Sequence, residues 1–511
     1  MPENLIRMIV RPTEVMLGPP TTIRRIPPRA LEKRQPEYES KFDSDTLFFD
    51  VFNSERGVEL VGPPLLNLRN YMADGEVILE PKQANVAHFS DIDRTQDSYI
   101  ECDKDARQIT FGNEVISGSF PVGESFTHLF ENKYTLMTLS KNNSLTWVKD
   151  WVSFHAINHG VNSVLFYDND SADYSPEDIL DALADIPDLD VIVVVHWPFK
   201  YGPQGGTWEG SVPAPWDSDF CQHGAINHAR RRFLSKAAGV INADIDELVV
   251  LDNGGNVFDK LAHSGAAALS YTGRWIESIR ESVGSIPRFE DFRYFDQQSK
   301  PCTRKWTASP LRMTEAIQWC THEIRGADLL EVSDIAHRHF KGINSDWKYP
   351  RTAAPVFDEK VHVLDIALQG YLSNAYSKSP QRMLAPSADV MKESVGTSTT
   401  LQQIESSFLA DSEQLGFVVK TWYWKPSCLV FEINYFGLRI GIDLTNSDTG
   451  FQMKMIGRDS HAKALLLDSL KNNSSNKQSP TGHWKVRTWP RTVSASTIAL
   501  DIRNMLFAGR S

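Results

Sequence analysis

Long apolar runs are missing from this chain of 511 residues. Its most hydrophobic stretch, residues 191–195, is strand-sized, far short of the roughly 18–20 residues that a membrane-spanning helix requires. An integral membrane protein is excluded on that count. Cysteine is scarce. The five present (Cys102, Cys221, Cys302, Cys320 and Cys428) are too scattered for a disulfide scaffold and form no C-x-x-C pair of a zinc ribbon. Positive charge is in deficit, 53 Lys and Arg against 65 Asp and Glu, for a net charge of −12. Nucleic-acid binding needs a cationic field and is not expected. Residues 1–10 show no basic region followed by an apolar block, so no leader is expected and the cytoplasm is the expected compartment.

What is present is globular material, 41% hydrophobic and 23% charged, enough for several domains of about 100–200 residues each. Residues 1–131 carry short apolar runs punctuated by Gly-Pro-Pro, Asp-Gly and Gly-Asn turn signals, which predicts a β-rich module. Residues 353–412 read as a helical, polar connector. Residues 413–511 read as a small α+β module, with strands at 417–424, 428–435, 438–444 and 451–456 and helices near 462–470 and 496–506.

Between these flanks, residues 132–352 alternate strand and helix. A strand at 134–139 leads to a helix on which Trp147, Val148, Trp151, Val152 and His155 recur at helical spacing until Gly160. A strand at 164–167 ends in Asp168, and Ser175-Pro176-Glu177-Asp178 starts a second helix. The all-apolar strand near 191–196 and a helix at 222–238 follow, then a strand at 239–243 running into Asp244-Ile245-Asp246-Glu247. This alternation predicts an α/β domain with a mainly parallel sheet, whose ligands bind at the carboxyl ends of the strands. Asp168 and the Asp244/Asp246 pair both fall there. Two acids separated by one residue at a strand end suit hard cations such as Mg²⁺ and Mn²⁺, which also take phosphate oxygens. Trp147 and Trp151 read as core, and Arg230-Arg231-Arg232 as a solvated helix face. Trp197 and Trp275 are the aromatic candidates for contact with a sugar.

Several of these segments together resemble one family. Thr138-Leu139-Ser140-Lys141-Asn142-Asn143, then Trp151 to His155, Gly160-Val161 and Tyr167-Asp168-Asn169-Asp170-Ser171, resemble the opening of GT-A glycosyltransferases. The likeness is to glycosyltransferase family 92 and neighbouring family 2-like enzymes. Gln222 and Asn227 followed by Asp244-Ile245-Asp246-Glu247-Leu248 resemble that family's Q…N…DIDE segment. Lys305-Trp306 to Trp319-Cys320-Thr321-His322 looks like the stretch that supplies a metal-binding His. His337-Arg338-His339-Phe340 with Trp347-Lys348 and Arg351 resembles the segment that closes the domain. The likeness spans residues 132–352 and departs from the pattern at Asn143, where the family has Glu.

The resemblance implies a GT-A-like fold and transfer of a sugar from a nucleoside-diphosphate donor, with a UDP-sugar expected, to a glycan or related acceptor. It implies that Ser140, Lys141, Asn142, Asp168, Gln222, Asn227 and Asp244 bind the nucleotide sugar. Asp246 and Asp244, with His322, would hold Mn²⁺ or Mg²⁺. His337 and His339 read as packing residues. An inverting transferase needs a carboxylate base for the acceptor proton. Glu277, which ends a strand-like run, is preferred over Glu290 and Asp291. Two other classes fit the acidic motif: a metal-dependent phosphohydrolase, and a non-catalytic glycan-binding scaffold built on a degenerate GT-A domain.

Overall fold

A computed structural model describes residues 5–19, 21–204, 216–280, 287–345 and 355–376 in full, together with the backbone of strands between residues 418 and 489. The chain separates into two units, Met1–Ala385 and Pro386–Ser511.

The first unit is organised by one large sheet. In chain order its elements are β1 (Ile6–Val10), β2 (Tyr134–Ser140), α1 (Leu145–His159), β3 (Ser163–Asp168), α2 (Pro176–Leu183), β4 (Val191–His196), α3 (Phe220–Ala229), β5 (Gly239–Asn242), β6 (Glu247–Leu251), α4 (Val257–Ser264), β7 (Ala268–Ile276), β8 (Cys302–Ala308) and β9 (Ile335–Phe340). The strands lie in the order β1-β4-β3-β2-β5-β8-β7-β9-β6, with Leu329–Glu331 beside β7. The first five run parallel. Beyond β5 the sheet is mixed, because β8 is antiparallel to both β5 and β7 and β9 is antiparallel to β6. The expectation of a mainly parallel sheet therefore holds for one half of it. Among the described residues no α-helix lies between β7 and β8, only the single turn Phe289–Asp291, so no crossover helix imposes a parallel return there.

Local chemistry explains these elements. Residues on β2, β3 and β4 alternate between the two faces of the sheet. Leu136, Val164, Phe166, Ile192 and Val194 pack under Trp151, Val152, Ile179 and Leu183 of α1 and α2. Met137, Leu165, Tyr167, Val193 and Val195 face Phe220, Ile226 and Phe233 on the other side. Being buried on both faces, the strands read as unbroken apolar runs. Truncating one such side chain, Phe166→Ala for instance, costs about 3–5 kcal/mol. Ser175 and Asp178 close a capping box on α2 behind Pro176. Gly160 ends α1 at φ 69°, a left-handed position that suits glycine.

Residues before β2 do form small antiparallel sheets, with strands Asp50–Ser54, Gly57–Val61, Tyr99–Glu101 and Val86–His88 in one and Ser117–Pro121, Gln108–Gly112 and Glu76–Glu80 in another. They have their own core of Leu47, Phe48, Leu60, Ile109 and Phe111. The same region also gives β1 to the large sheet, and Phe49 and Phe52 to its α3-side core. Arg232, expected on a solvated face, is buried and pairs with the buried Asp50, while Arg230 donates to the carbonyls of Thr314 and Ile317. The arginines are needed inside because they satisfy acceptors brought in by neighbouring segments.

Of the expected connector, the described part is a strand, His362–Leu364, and the helix Ile366–Tyr376. That helix packs on α1 through Tyr371 against Phe154 and Asn374 bonded to Asn158. Residues 377–412 lie outside the described residues, as do Trp347, Lys348 and Arg351. The second unit shows an antiparallel sheet of Val418–Lys425, Cys428–Tyr435, Leu438–Ser447, Gly450–Gly457, Trp484–Trp489 and Lys477–Gln478 in that order. The helices expected near 462–470 and 496–506 fall outside the described residues. Among the described residues no helix is long and apolar enough to cross a membrane.

Candidate functional site

The carboxyl ends of the parallel strands are level. Ser140 of β2 lies beside Asp168 of β3, which lies beside His196 of β4. β5 stops at Asn242, and the chain turns through Asp244 and Asp246 before β6 starts at Glu247. That turn is closed twice: Glu247 N–H donates to the Asp244 carbonyl at 3.0 Å, and Asp244 N–H donates to Glu247 Oε2 at 3.0 Å. A cavity of about 720 Å³ opens at this edge of the sheet, lined by Ser140, Lys141 and Asn142 from the end of β2 and by Asp244, Asp246, His322 and His339. Gln222, which accepts from the Tyr201 hydroxyl at 2.6 Å, lines it as well.

The acids are held from behind. Lys305, a buried residue of β8, sets its ammonium 2.8 Å from Asp244 Oδ2 and 3.1 Å from Glu247 Oε2. Burial would raise the Asp244 carboxyl, but Lys305 outweighs it and holds Asp244 below the usual carboxylate range. Glu247 is pushed up to about 7, chiefly by burial. On β9, His339 Nε2 lies 2.9 Å from Asp246 Oδ2. Burial works against its charged form, but Asp246 overrides it and raises His339 well above the usual histidine value. The carboxylates of Asp244 and Asp246 on the cavity are the oxygen donors that a hard divalent cation takes.

The cavity thus gathers Ser140, Lys141, Asn142, Gln222, Asp244, Asp246 and His322 from the sequence-predicted set. The other predicted residues sit elsewhere. Asp168 is buried behind the strand ends and accepts from Ser171 N–H at 3.3 Å, while its neighbour Asn169 lines the cavity. Asn227 is buried on α3 and donates to the carbonyls of His223 and Trp319. Glu277 is buried one residue past the end of β7, with Lys341 Nζ at 2.7 and 2.9 Å from its two oxygens. Asp291 accepts from Arg288 N–H at 2.8 Å in a turn, and Glu290 is exposed. Trp197 is fully buried with its ring on His228, so it presents no face to a sugar. The Trp275 ring is tilted against that of His339, their centroids 4.2 Å apart.

Sequence reasoning missed Lys305, Glu247 and His339 as parts of the site. The last had a signal. His337 and His339 are two apart on a strand and so share a face, and the strand they occupy pairs with the one that starts at Glu247.

No family model matches the chain, and no curated protein matches it in sequence. Among solved structures it is similar to S. aureus TarS 1-349 in complex with UDP-GlcNAc, at 11% identity and a TM-score of 0.26 over 44% of this chain and 62% of that one. Longer S. aureus TarS gives 9% identity and a TM-score of 0.24 over 64% of each chain. Core-mannan synthase A of Aspergillus fumigatus, in its Mn/GDP form, gives 8% identity and a TM-score of 0.20 over 39% of this chain and 57% of that one. The chain thus spans less than two thirds of the first of these structures. Likeness at this level carries no chemistry, which rests on the residues of the cavity.

Proposed function

We propose that the cavity takes a nucleoside-diphosphate sugar together with Mn²⁺ or Mg²⁺ and transfers the sugar to a glycan or related acceptor, with a UDP-sugar as the expected donor. The observation that carries this reading is the placement of Asp244 and Asp246 on the same cavity as the level strand ends of a parallel sheet. Such strand ends are where α/β sheets bind ligands, and paired acids are what a diphosphate-bound cation needs. Ser140, Lys141 and Asn142 form the nucleoside end. Asp246, with Asp244 and His322, holds the cation, and His339 fixes the Asp246 carboxylate by its 2.9 Å contact. When bound, the cation offsets the charge that develops on the departing diphosphate.

Glu277 is the base we favour for the acceptor hydroxyl. Asp291 is committed to the Arg288 turn, whereas Glu277 comes two residues after Trp275, the residue of β7 that pairs with His339. The carboxylate takes the acceptor proton as the hydroxyl oxygen attacks the sugar carbon, and Lys341 keeps it oriented.

The test is a screen of UDP- and GDP-sugars for slow donor hydrolysis with and without Mn²⁺, alongside thermal shifts with UDP and GDP. Metal-dependent hydrolysis of one donor, with metal-dependent stabilisation by its nucleotide, is expected. Stabilisation by no nucleotide in the presence of Mn²⁺ overturns the reading.

A further inference from the structure

Beside the acidic motif lies a second cluster, of which His339 alone also lines the cavity. Cys302 opens β8, His337 and His339 share a face of β9, and Glu247 opens β6. Ligating atoms of Cys302, His337 and His339 all lie within 4.8 Å of one another. Glu247 Oε1 touches both imidazoles, at 3.4 Å from His337 Nε2 and 3.5 Å from His339 Nδ1. These are not hydrogen bonds. His337 is completely buried, yet neither of its ring nitrogens has a hydrogen-bond partner. A buried nitrogen left unsatisfied is costly and calls for an explanation such as an ion.

The spacing supplies one. Nitrogen and oxygen ligands at about 2.0–2.1 Å from a tetrahedral Zn²⁺ lie about 3.4 Å apart, the separation found between Glu247 and each imidazole. Close approach of the strands is secured by Gly273 of β7, where a Cβ would sit 2.1 Å from His337 Nε2 and 2.6 Å from Cys302 Cβ. The outer contacts also fit. Metal-bound histidines donate their other ring N–H to a carboxylate or carbonyl, and His339 Nε2 is 2.9 Å from Asp246 Oδ2. Glu247 keeps its second oxygen for Lys305 at 3.1 Å. Asp244 and Glu247 share the Lys305 ammonium and Asp246 pairs with His339, so three carboxylates stand against two cationic groups here.

We propose that Cys302, His337 Nε2, His339 Nδ1 and Glu247 Oε1 form a buried site for a zinc-type ion that ties β6, β8 and β9 together and fixes Asp246 through His339. Binding deprotonates the Cys302 thiol, whose proton leaves to solvent, and the thiolate bonds the metal. The donor set separates this ion from the one in the cavity, because thiolate and imidazole select zinc-type ions whereas carboxylate oxygens suit Mn²⁺ or Mg²⁺. The inference does not rest on sugar transfer.

The experiment uses the full chain, stripped of metal and reloaded with Co²⁺, read by absorption spectroscopy and by elemental analysis of the protein as purified. One tightly held zinc per chain is expected, with a thiolate-to-cobalt charge-transfer band in the reloaded protein. Cys302→Ala should abolish the band and bring zinc to background, while Asp246→Asn and Cys320→Ala should keep it. The second control matters because Cys320 lies with His223 and Asp93 in another three-donor group. Absence of both zinc and band in the wild-type protein overturns the proposal, whatever the folding of the variants. So does a band that survives Cys302→Ala, or one that is lost with Cys320→Ala instead. Failure to bind any nucleotide would count against the transferase and leave the cobalt spectrum unaffected.

Discussion

The buried ammonium of Lys305 bridges two carboxylates that face different ways, Asp244 on the cavity at 2.8 Å and Glu247 in the interior at 3.1 Å. Burial alone would lower the lysine, but the two acids outweigh it and raise it above its ordinary value. Removing one partner of a buried ion pair leaves uncompensated charge, at a cost of about 3–5 kcal/mol. Lys305→Met should therefore lower the thermal midpoint strongly without metal. Added Mn²⁺ should recover part of that loss, since the freed Asp244 gains affinity for a cation. A midpoint close to wild type in metal-free buffer would show that Lys305 is not what balances these acids.

Asp246→Asn changes little volume and keeps an oxygen toward His339, but it removes the charge that the cation needs. The variant should stay folded, as judged by circular dichroism, and lose Mn²⁺-dependent stabilisation by nucleoside diphosphate together with donor hydrolysis. Wild-type activity at limiting Mn²⁺ would end the metal role of this residue.

The strand-end wall of the cavity was legible in part. Strand ends can be read from apolar runs that stop at polar residues, and β2, β3 and β4 stop at Ser140, Asp168 and His196. Which way a strand-end side chain turns depends on the next loop, and Asp168 turns into Ser171 N–H. The parallel half of the sheet was legible for the same reason. The mixed half was not, because β7, β8 and β9 pair across long separations with no helical period between them to announce the topology. Lys305 lay in plain view beside Trp306, but its role depends on β8 lying against the Asp244 turn, a pairing that no local pattern encodes.

Asp168 supports the loop that carries Asn142: Ser171 N–H donates to Asp168, and Asn142 N–H donates to Ser171 Oγ at 2.9 Å. Asp168→Ala should weaken nucleoside-diphosphate binding by about 10-fold, the effect of losing roughly 1.4 kcal/mol of hydrogen-bonded order. Metal affinity measured without nucleotide should hold. Asp168→Asn retains an acceptor for Ser171 and should recover most of the binding. Equal losses in both variants, by titration calorimetry, would instead mean that the carboxylate itself meets the nucleoside.

The two histidines of α1 should make the fold acid-sensitive. His155 Nδ1–H donates to the Trp151 carbonyl at 2.8 Å while Nε2 accepts from Val249 N–H at 3.3 Å. His159 is wired the other way, with Nε2–H donating to the Val249 carbonyl at 2.8 Å and Nδ1 accepting from Val257 N–H at 3.3 Å. Each ring needs one bare nitrogen, so each must be neutral. Burial lowers His155 to about 3 and His159 to about 4, against an unfolded value of about 6.5. Below pH ~6.5 the unfolded chain takes up protons that the folded chain refuses, so the stability these rings contribute is complete above that pH and is lost as pH falls toward their folded values. The slope is at most roughly 1.4 kcal/mol per pH unit for each ring. His159→Gln should cost stability at pH 7.5, because the Val249 and Val257 contacts weaken, yet show a shallower decline of the urea midpoint between pH 6.5 and 4.5 than wild type. These contacts reach the acidic site through β6, since α1 also bonds the Glu247 carbonyl from Trp151 Nε1 at 3.1 Å. Mn²⁺-dependent nucleotide binding should therefore weaken with the fold as pH drops through the same window. A variant whose pH slope matches the wild type would show that His159 is already protonated in the folded protein.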